Sequence, residues 1–260
     1  MQTLRQVALA ALTTKDPNDK AFIVRSFDAK SAEVGAAEVL AEPDGIPGRP
    51  PKPVLVPHTQ LKQRSMATVE GRAALIHALA HIELNAIDLA ADLTWRFPGM
   101  PELFYRQWFN VAQEEALHFQ LLRDNLATLG FAYGDFDAHN TLWEMAERTK
   151  HDMLARIALV PRTLEARGLD ASPAIKNKLI SAGDKAAGGI LDVILRDEIG
   201  HVKVGNDWFN VLCIERGLEP IATYAELAAK YQAPKPRGPF NIEARRAAGF
   251  TSDELLALLK

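Results

Sequence analysis

The sequence predicts an all-α protein built on a four-helix bundle. Three observations carry this. Apolar residues recur at helical spacing over four long segments, short clusters rich in Gly and Pro separate those segments, and two copies of one acidic motif fall inside the helical pattern. The 260 residues can form one large domain or two small ones. Their 48% hydrophobic and 24% charged content is ordinary for a chain that buries a core.

The motif is Glu114-Glu115-Ala116-Leu117-His118, echoed as Asp197-Glu198-Ile199-Gly200-His201. In each copy Glu and His are three residues apart, which on a helix puts both side chains on one face with Cβ atoms about 5–6 Å apart. A carboxylate and an imidazole converging in this way can bind one divalent transition metal. Glu83 lies 32 residues before Glu115, and Glu165 lies 33 before Glu198. Glu followed by Glu-x-x-His, twice over, is the ligand set of ferritin-like di-metal carboxylate bundles. The expected metal ligands are therefore Glu83, Glu115, His118, Glu165, Glu198 and His201. The 50 residues from Glu115 to Glu165 leave room for a long crossover between the second and third helices.

Residues 1–67 read as an N-terminal helix and a proline-rich arm. The apolar run Val7 to Leu12 is short for a signal sequence, no cleavage signature follows it, and no run approaches the length of a membrane span. From Pro43 to Pro57, six prolines with Gly45 and Gly48 exclude helix and favour an extended strap. The strap either lies over the bundle surface or acts as a lid, the second reading resting on Arg49, Lys52, Lys62 and Arg64. The single cysteine, Cys213, reads as a small core residue and fits a reducing compartment, so a cytoplasmic protein is expected. The net charge of −3 gives no general attraction to nucleic acid or an anionic membrane.

Residues 68–217 form the expected bundle. The first long helix runs from Thr68 to Phe97, with Leu75, Ile76, Leu79, Ile82, Ala86, Ile87 and Ala90 on its inward stripe and Glu83 on or beside it. His77, His81, Asn85, Asp88 and Asp92 form a second, polar stripe, whose histidines point outward or support the ligands. Phe97-Pro98-Gly99-Met100-Pro101 ends this helix and starts the next, which Gly130 closes. Glu83 precedes Phe97 by 14 residues and Glu115 follows Pro101 by 14, so an antiparallel pair brings the two carboxylates to one height. The third helix is expected from Thr141 to Arg167, kinked at Pro161. The fourth is expected from Asp184 to Arg216. Register is poorer in this half, where Glu144 and Glu147 are the alternatives to Glu165. The stretch Ser172 to Ala182 continues the third helix or forms a short one of its own.

Residues 218–260 read as a tail packed on the bundle, with a helix around Thr223 to Tyr231, a proline-rich link and a last helix to Lys260. Its basic residues form a solvated face or, through Arg245 and Arg246, a flap that meets an anionic substrate. No glycine-rich phosphate loop, zinc-type cysteine pair or nucleophile elbow occurs.

Several stretches resemble the ferritin-like family catalogued as domain of unknown function four-five-five. They are His81-Ile82-Glu83, Arg96 to Pro101, Val160 to Asp170, Asp197 to Val202, Pro47 to Pro50, and Pro239 to Arg246. The resemblance covers nearly the whole chain. It implies a ferritin-like bundle distantly related to non-haem di-iron tRNA hydroxylases, and it favours Glu165 as a ligand.

Four carboxylates and two neutral imidazoles carry a formal charge of about −4, which two divalent cations balance. Oxygen and nitrogen donors without thiolate suit two Fe ions, with Mn as the alternative. The expected function is an oxygen-activating oxidase or hydroxylase, with no catalytic group beyond the ligands. The expected partners are dioxygen and a substrate, either a small molecule or an RNA base, with no membrane and no DNA. Glu114, Asp197, Asp88 and His81 are candidates to orient the ligands from behind. The alternatives are a ferroxidase or storage protein, against which the arm and tail weigh, and a metal-free polar network. The last must neutralise six ionisable groups in the interior.

Overall fold

Side-chain caps fix where most of the helices begin. In the computed structural model, which describes residues 2–259, α1 (Leu4–Thr13) starts at Thr3 through a capping box with Gln6. α2 (Pro17–Ser26) starts at Asp16, whose carboxylate accepts from the backbone of Asn18 and Asp19 at 2.8 and 3.0 Å. The expectation of one N-terminal helix is thus short by one, although Asp16-Pro17 is a local start signal. Among the described residues there are no strands, only an isolated parallel bridge between Leu55 and Ala138, and the fold is all-α. The chain forms two compact units, one of residues up to Thr141 with Leu179–Ile190, the other of Leu142–Lys178 with the residues from Leu191 on. The arm shares the first unit with the first two long helices.

The first unit is organised around α3 (Val69–Arg96) and α4 (Glu102–Thr128). Thr68 caps α3 by accepting from Gly71 at 3.0 Å. The turn into α4 contains Gly99 at φ 83°, a left-handed position suited to glycine. Tyr105 fastens that turn, donating to Phe97 O at 2.7 Å and accepting from Met100 N at 3.0 Å.

The polar stripe of α3 is not outward. His77, His81, Asn85, Asp88 and Asp92 are all buried, whereas Ile82, expected inside, is 40% exposed. Segments distant in sequence cover most of the stripe and supply partners to it. Lys20 of α2 pairs with Asp88, and Arg49 of the strap donates to Asn85 at 3.3 Å and to Asn140 at 2.6 Å, while Asp92 pairs with Arg96 one turn along the same helix. The strap also pairs with the connection after α4, through Val56 N to Ala138 O at 2.8 Å and Ala138 N to Val54 O at 3.0 Å. Buried Arg5 of α1 reaches the end of α3, donating to Thr94 O at 3.3 Å and to Trp95 O. These carbonyls are among those a helix leaves unpaired at its C-terminus. By length and hydropathy α3 reaches the membrane-spanning range that the sequence reading found nowhere, and 78% of its most apolar stretch is buried inside the protein.

In the second unit the expected helix from Thr141 to Arg167 is broken. α5 (Thr141–Thr149) stops, and α6 (Met153–Leu159) restarts at Asp152, whose carboxylate accepts from Ala155 at 3.2 Å. Buried Arg156 bridges the break, donating to Thr149 Oγ1 at 3.0 Å and to Ala146 O. The expected disturbance at Pro161 takes the form of a π-helical turn, Val160–Glu165. Thr163 Oγ1 takes up the carbonyl of Ala158 there at 2.7 Å.

α7 (Ala166–Ser181) then runs on through Gly168 and Pro173, so Ser172 to Ala182 continues the helical course as the first of the two expectations had it. Pro173 cannot donate to Leu169 O, and the side chain of Asn241 does so instead at 3.2 Å. α8 (Lys185–Glu215) and α9 (Pro220–Lys230) follow, the latter starting three residues before the expected Thr223. The expected last helix is two, α10 (Ile242–Ala247) and α11 (Ser252–Leu258), parted by Gly249 at φ 90°, and Lys260 lies outside the described residues. Ala166, Leu169, Val202, Ala244 and Ala248 form a core that joins the tail to α7 and to the Leu191–Glu215 part of α8. Cys213 is a buried free thiol.

Candidate metal centre

α3 and α4 run antiparallel from a short turn, and the equal arm lengths set Glu83 and Glu115 at one height. His118 stands between them. Its Nδ1 is 3.3 Å from Glu115 Oε2, one turn away on α4, and 3.3 Å from Glu83 Oε2 on α3. One donor atom from each of the three residues lies within 4.8 Å of the other two, and all three residues are buried. Burial pushes the Glu83 carboxyl up to about 8, and the neighbouring Glu115 charge adds to the rise. Burial opposes charge on His118 too, but Glu115 and Glu83 outweigh it and push the imidazole up to about 12. Glu83 Oε2 has no hydrogen bond, despite its closeness to His118. The cluster gathers two carboxylates and an imidazole in the interior, donors that a metal ion could take up.

The second unit repeats the local pattern. Glu198 and His201 are both buried on α8, with His201 Nδ1 4.0 Å from Glu198 Oε1. Glu165 is half-buried at the last position of the π turn. Of its sequence alternatives, Glu144 is exposed, and Glu147 forms an ion pair with Lys150 at 3.4 Å.

The residues expected to support the ligands have other contacts. Asp88 pairs with Lys20, although burial holds its carboxyl above the usual range. Asp197 accepts from Arg196 at 2.8 and 3.0 Å. His81 turns to the connection after α4, with Nδ1 2.8 Å from Tyr133 Oη and Nε2 2.9 Å from His139 O. Glu114 is half-buried beside Glu115. Among the arginines read as a lid, Arg49 is part of the strap's bonding to α3 and Arg246 is exposed. Arg245 is buried, donating to Asp170 at 3.0 and 2.7 Å and to Ala166 O at 3.3 Å, so it anchors the tail to α7. The sequence reading missed Lys20 and Tyr133 as partners of α3, for which no local motif exists.

A buried carboxylate–imidazole cluster between two antiparallel helices defines an all-α protein equipped to hold a metal ion. Residues 13–256 match the family described as "Protein of unknown function (DUF455)", and the chain belongs to that family. A protein of Haemophilus influenzae described as "Uncharacterized protein" is 45% identical over 258 residues, covering 94% of this chain and 90% of its own. No solved structure matches the chain.

Proposed function

We propose that this chain is a ferritin-like di-metal protein that uses dioxygen to oxidise or hydroxylate an organic substrate, a small molecule or an RNA base. Glu83, Glu115, His118, Glu165, Glu198 and His201 would hold two iron ions, with manganese as the alternative metal. The observation that carries the reading is the buried convergence of Glu83, Glu115 and His118. The Glu198–His201 pair, with the same spacing on another long helix, supports it. The donors are hard oxygens and imidazole nitrogens, which suit iron or manganese. When bound, ferrous ions supply the electrons that reduce dioxygen. The chain's own part is to fix the donors and keep water out. Nδ1 of His118 faces both carboxylates and would be the nitrogen the ring offers to a metal, after losing its proton. Glu83 would likewise have to give up any proton it holds.

A second reading has one specific observation in its favour. With Glu83 protonated and His118 charged against Glu115, the cluster is neutral without any metal. Iron oxidation for storage is a third reading. Metal analysis of the purified chain, then anaerobic ferrous loading and exposure to oxygen, separates them. A pair of irons with limited oxygen uptake supports the oxidase. Many oxidised irons per chain would show storage, and failure to bind iron or manganese would leave the metal-free network.

A further inference from the structure

The second unit contains a cavity of about 440 Å³ that the metal reading leaves unused. Its size is that of a small-molecule pocket. Ile221, Tyr224 and Leu258 give it apolar walls, and Arg162 lines it from the π turn. The Arg162 side chain is only 3% exposed. It pairs through Nη2 with Glu254 of α11, and its guanidinium carbon sits 4.5 Å from the ring centre of Phe209, 5.3 Å from Tyr224 and 5.1 Å from Phe250. That leaves Nε–H and Nη1–H buried without a hydrogen-bond acceptor. Such groups are rare in folded proteins and mark a place for a missing partner.

The charges around the cavity indicate the partner's sign. Arg245 also lines it, but Asp170 already receives that guanidinium through both carboxylate oxygens. Glu254 accepts from Arg162 and from Thr251. Lys235 is a further lining cation, and it is exposed at the cavity.

We propose that this cavity binds a small organic anion, one carboxylate or phosphate group on an apolar body. The anionic group accepts from an open N–H of Arg162 and is drawn in by Lys235, while the body lies against Tyr224, Ile221 and Leu258. An anionic acceptor meets the unpaired guanidinium N–H groups with charge on both partners, which a neutral ligand cannot do. The inference rests on residues of the second unit alone and does not depend on a bound metal.

The test is calorimetric titration of the full chain, held in chelator, with benzoate, phenyl phosphate and benzyl alcohol. One of the two anions should saturate at one per chain, at least about tenfold tighter than the alcohol. Which anion wins distinguishes a carboxylate from a phosphate ligand. Lys235→Gln, at an exposed residue, should weaken the anion and leave the alcohol unchanged. Ala225→Phe, which fills the cavity from an exposed lining position, should abolish binding while thermal unfolding stays that of the wild type. Arg162→Gln should equalise the anion and the alcohol, and the other two variants keep the test decisive if this one does not fold. Equal affinity for all three probes, or no saturable binding of either anion, would overturn the proposal and leave Arg162 as a staple for α11.

Discussion

Nδ1 of His118 lies 3.3 Å from Oε2 of Glu83, a contact between α4 and α3 made possible by the turn at Phe97–Pro101. Because one imidazole nitrogen serves two carboxylates, neither carboxylate can be removed without changing the site. Glu115→Ala or His118→Ala should lower iron or manganese affinity by at least about 10–100-fold, the range known for groups further from a metal. Both variants should remain helical, because α3 is capped by Thr68 and the apolar faces of α3 and α4 are buried independently of the cluster. Metal content of purified protein, read beside circular dichroism, checks this. Full metal retention by both variants would remove Glu115 and His118 from the site.

His77 gives the first unit an acid sensitivity. Burial lowers its folded-state value from 6.5 to about 4, and its Nε2 accepts from Gly134 N at 2.9 Å, which requires the neutral ring. The unfolded chain therefore binds the proton more readily than the folded one. The stability tied to neutral His77 is fully present above pH 6.5 and is lost as pH falls towards about 4, at about 1.4 kcal/mol per pH unit. Urea unfolding between pH 7 and 4.5 should show His77→Gln with a shallower pH slope than the wild type. Equal slopes would show that His77 takes up its proton equally in the folded and unfolded chains, and that burial does not hold the ring neutral.

Arg245 and Arg246 are adjacent but should differ greatly in effect. Arg245→Ala removes both hydrogen bonds to Asp170 and leaves that half-buried carboxylate without them, for a loss of about 3–5 kcal/mol. Arg246 is exposed, and Arg246→Ala should stay within about 0.5 kcal/mol of wild type. Denaturant midpoints of the single variants suffice. A silent Arg245→Ala would undo the anchoring role and return that residue to the lid reading.

Gly205→Ala tests the packing around the π turn. A Cβ at Gly205 would lie 2.9 Å from Cβ of Pro161, part of a rigid ring that cannot swing away. Overpacking of this kind costs about 1–3 kcal/mol. Gly200→Ala, where an added Cβ meets nothing within 4 Å, is the control on the same helix and should be neutral or slightly stabilising. Equal stability of the two variants would mean that α8 has room to shift at the turn.

The sequence was most informative where structure is decided locally. Thr68, Pro101 and Gly130 bound α3 and α4 to within a residue or two because caps and turns act over a few positions. The height of Glu83 and Glu115 followed because the loop between their helices is too short to permit another register. The outward alternative for the histidines of α3 fell because periodicity shows that a face is polar, not that Lys20, Arg49 and Tyr133 return from elsewhere to cover it. Likewise the break before α6 depends on Asp152 preferring a cap to an unbroken helical course. Arg245 looked available for substrate because Asp170, its partner, belongs to a different stretch of chain.

The bond network of Arg5 also bears on the order in which the chain can settle during synthesis. Its Nη1 donates to the carbonyls of Gly35, Ala36 and Glu38, which lie just beyond α2, whereas Nε and Nη2 need those of Thr94 and Trp95 at the end of α3. The nearer bonds can therefore form early in synthesis, but the guanidinium is fully satisfied only when α3 is complete. Until then a half-paired cation and the apolar face of α1 wait together, a delay in which a nascent-chain chaperone has a defined apolar target.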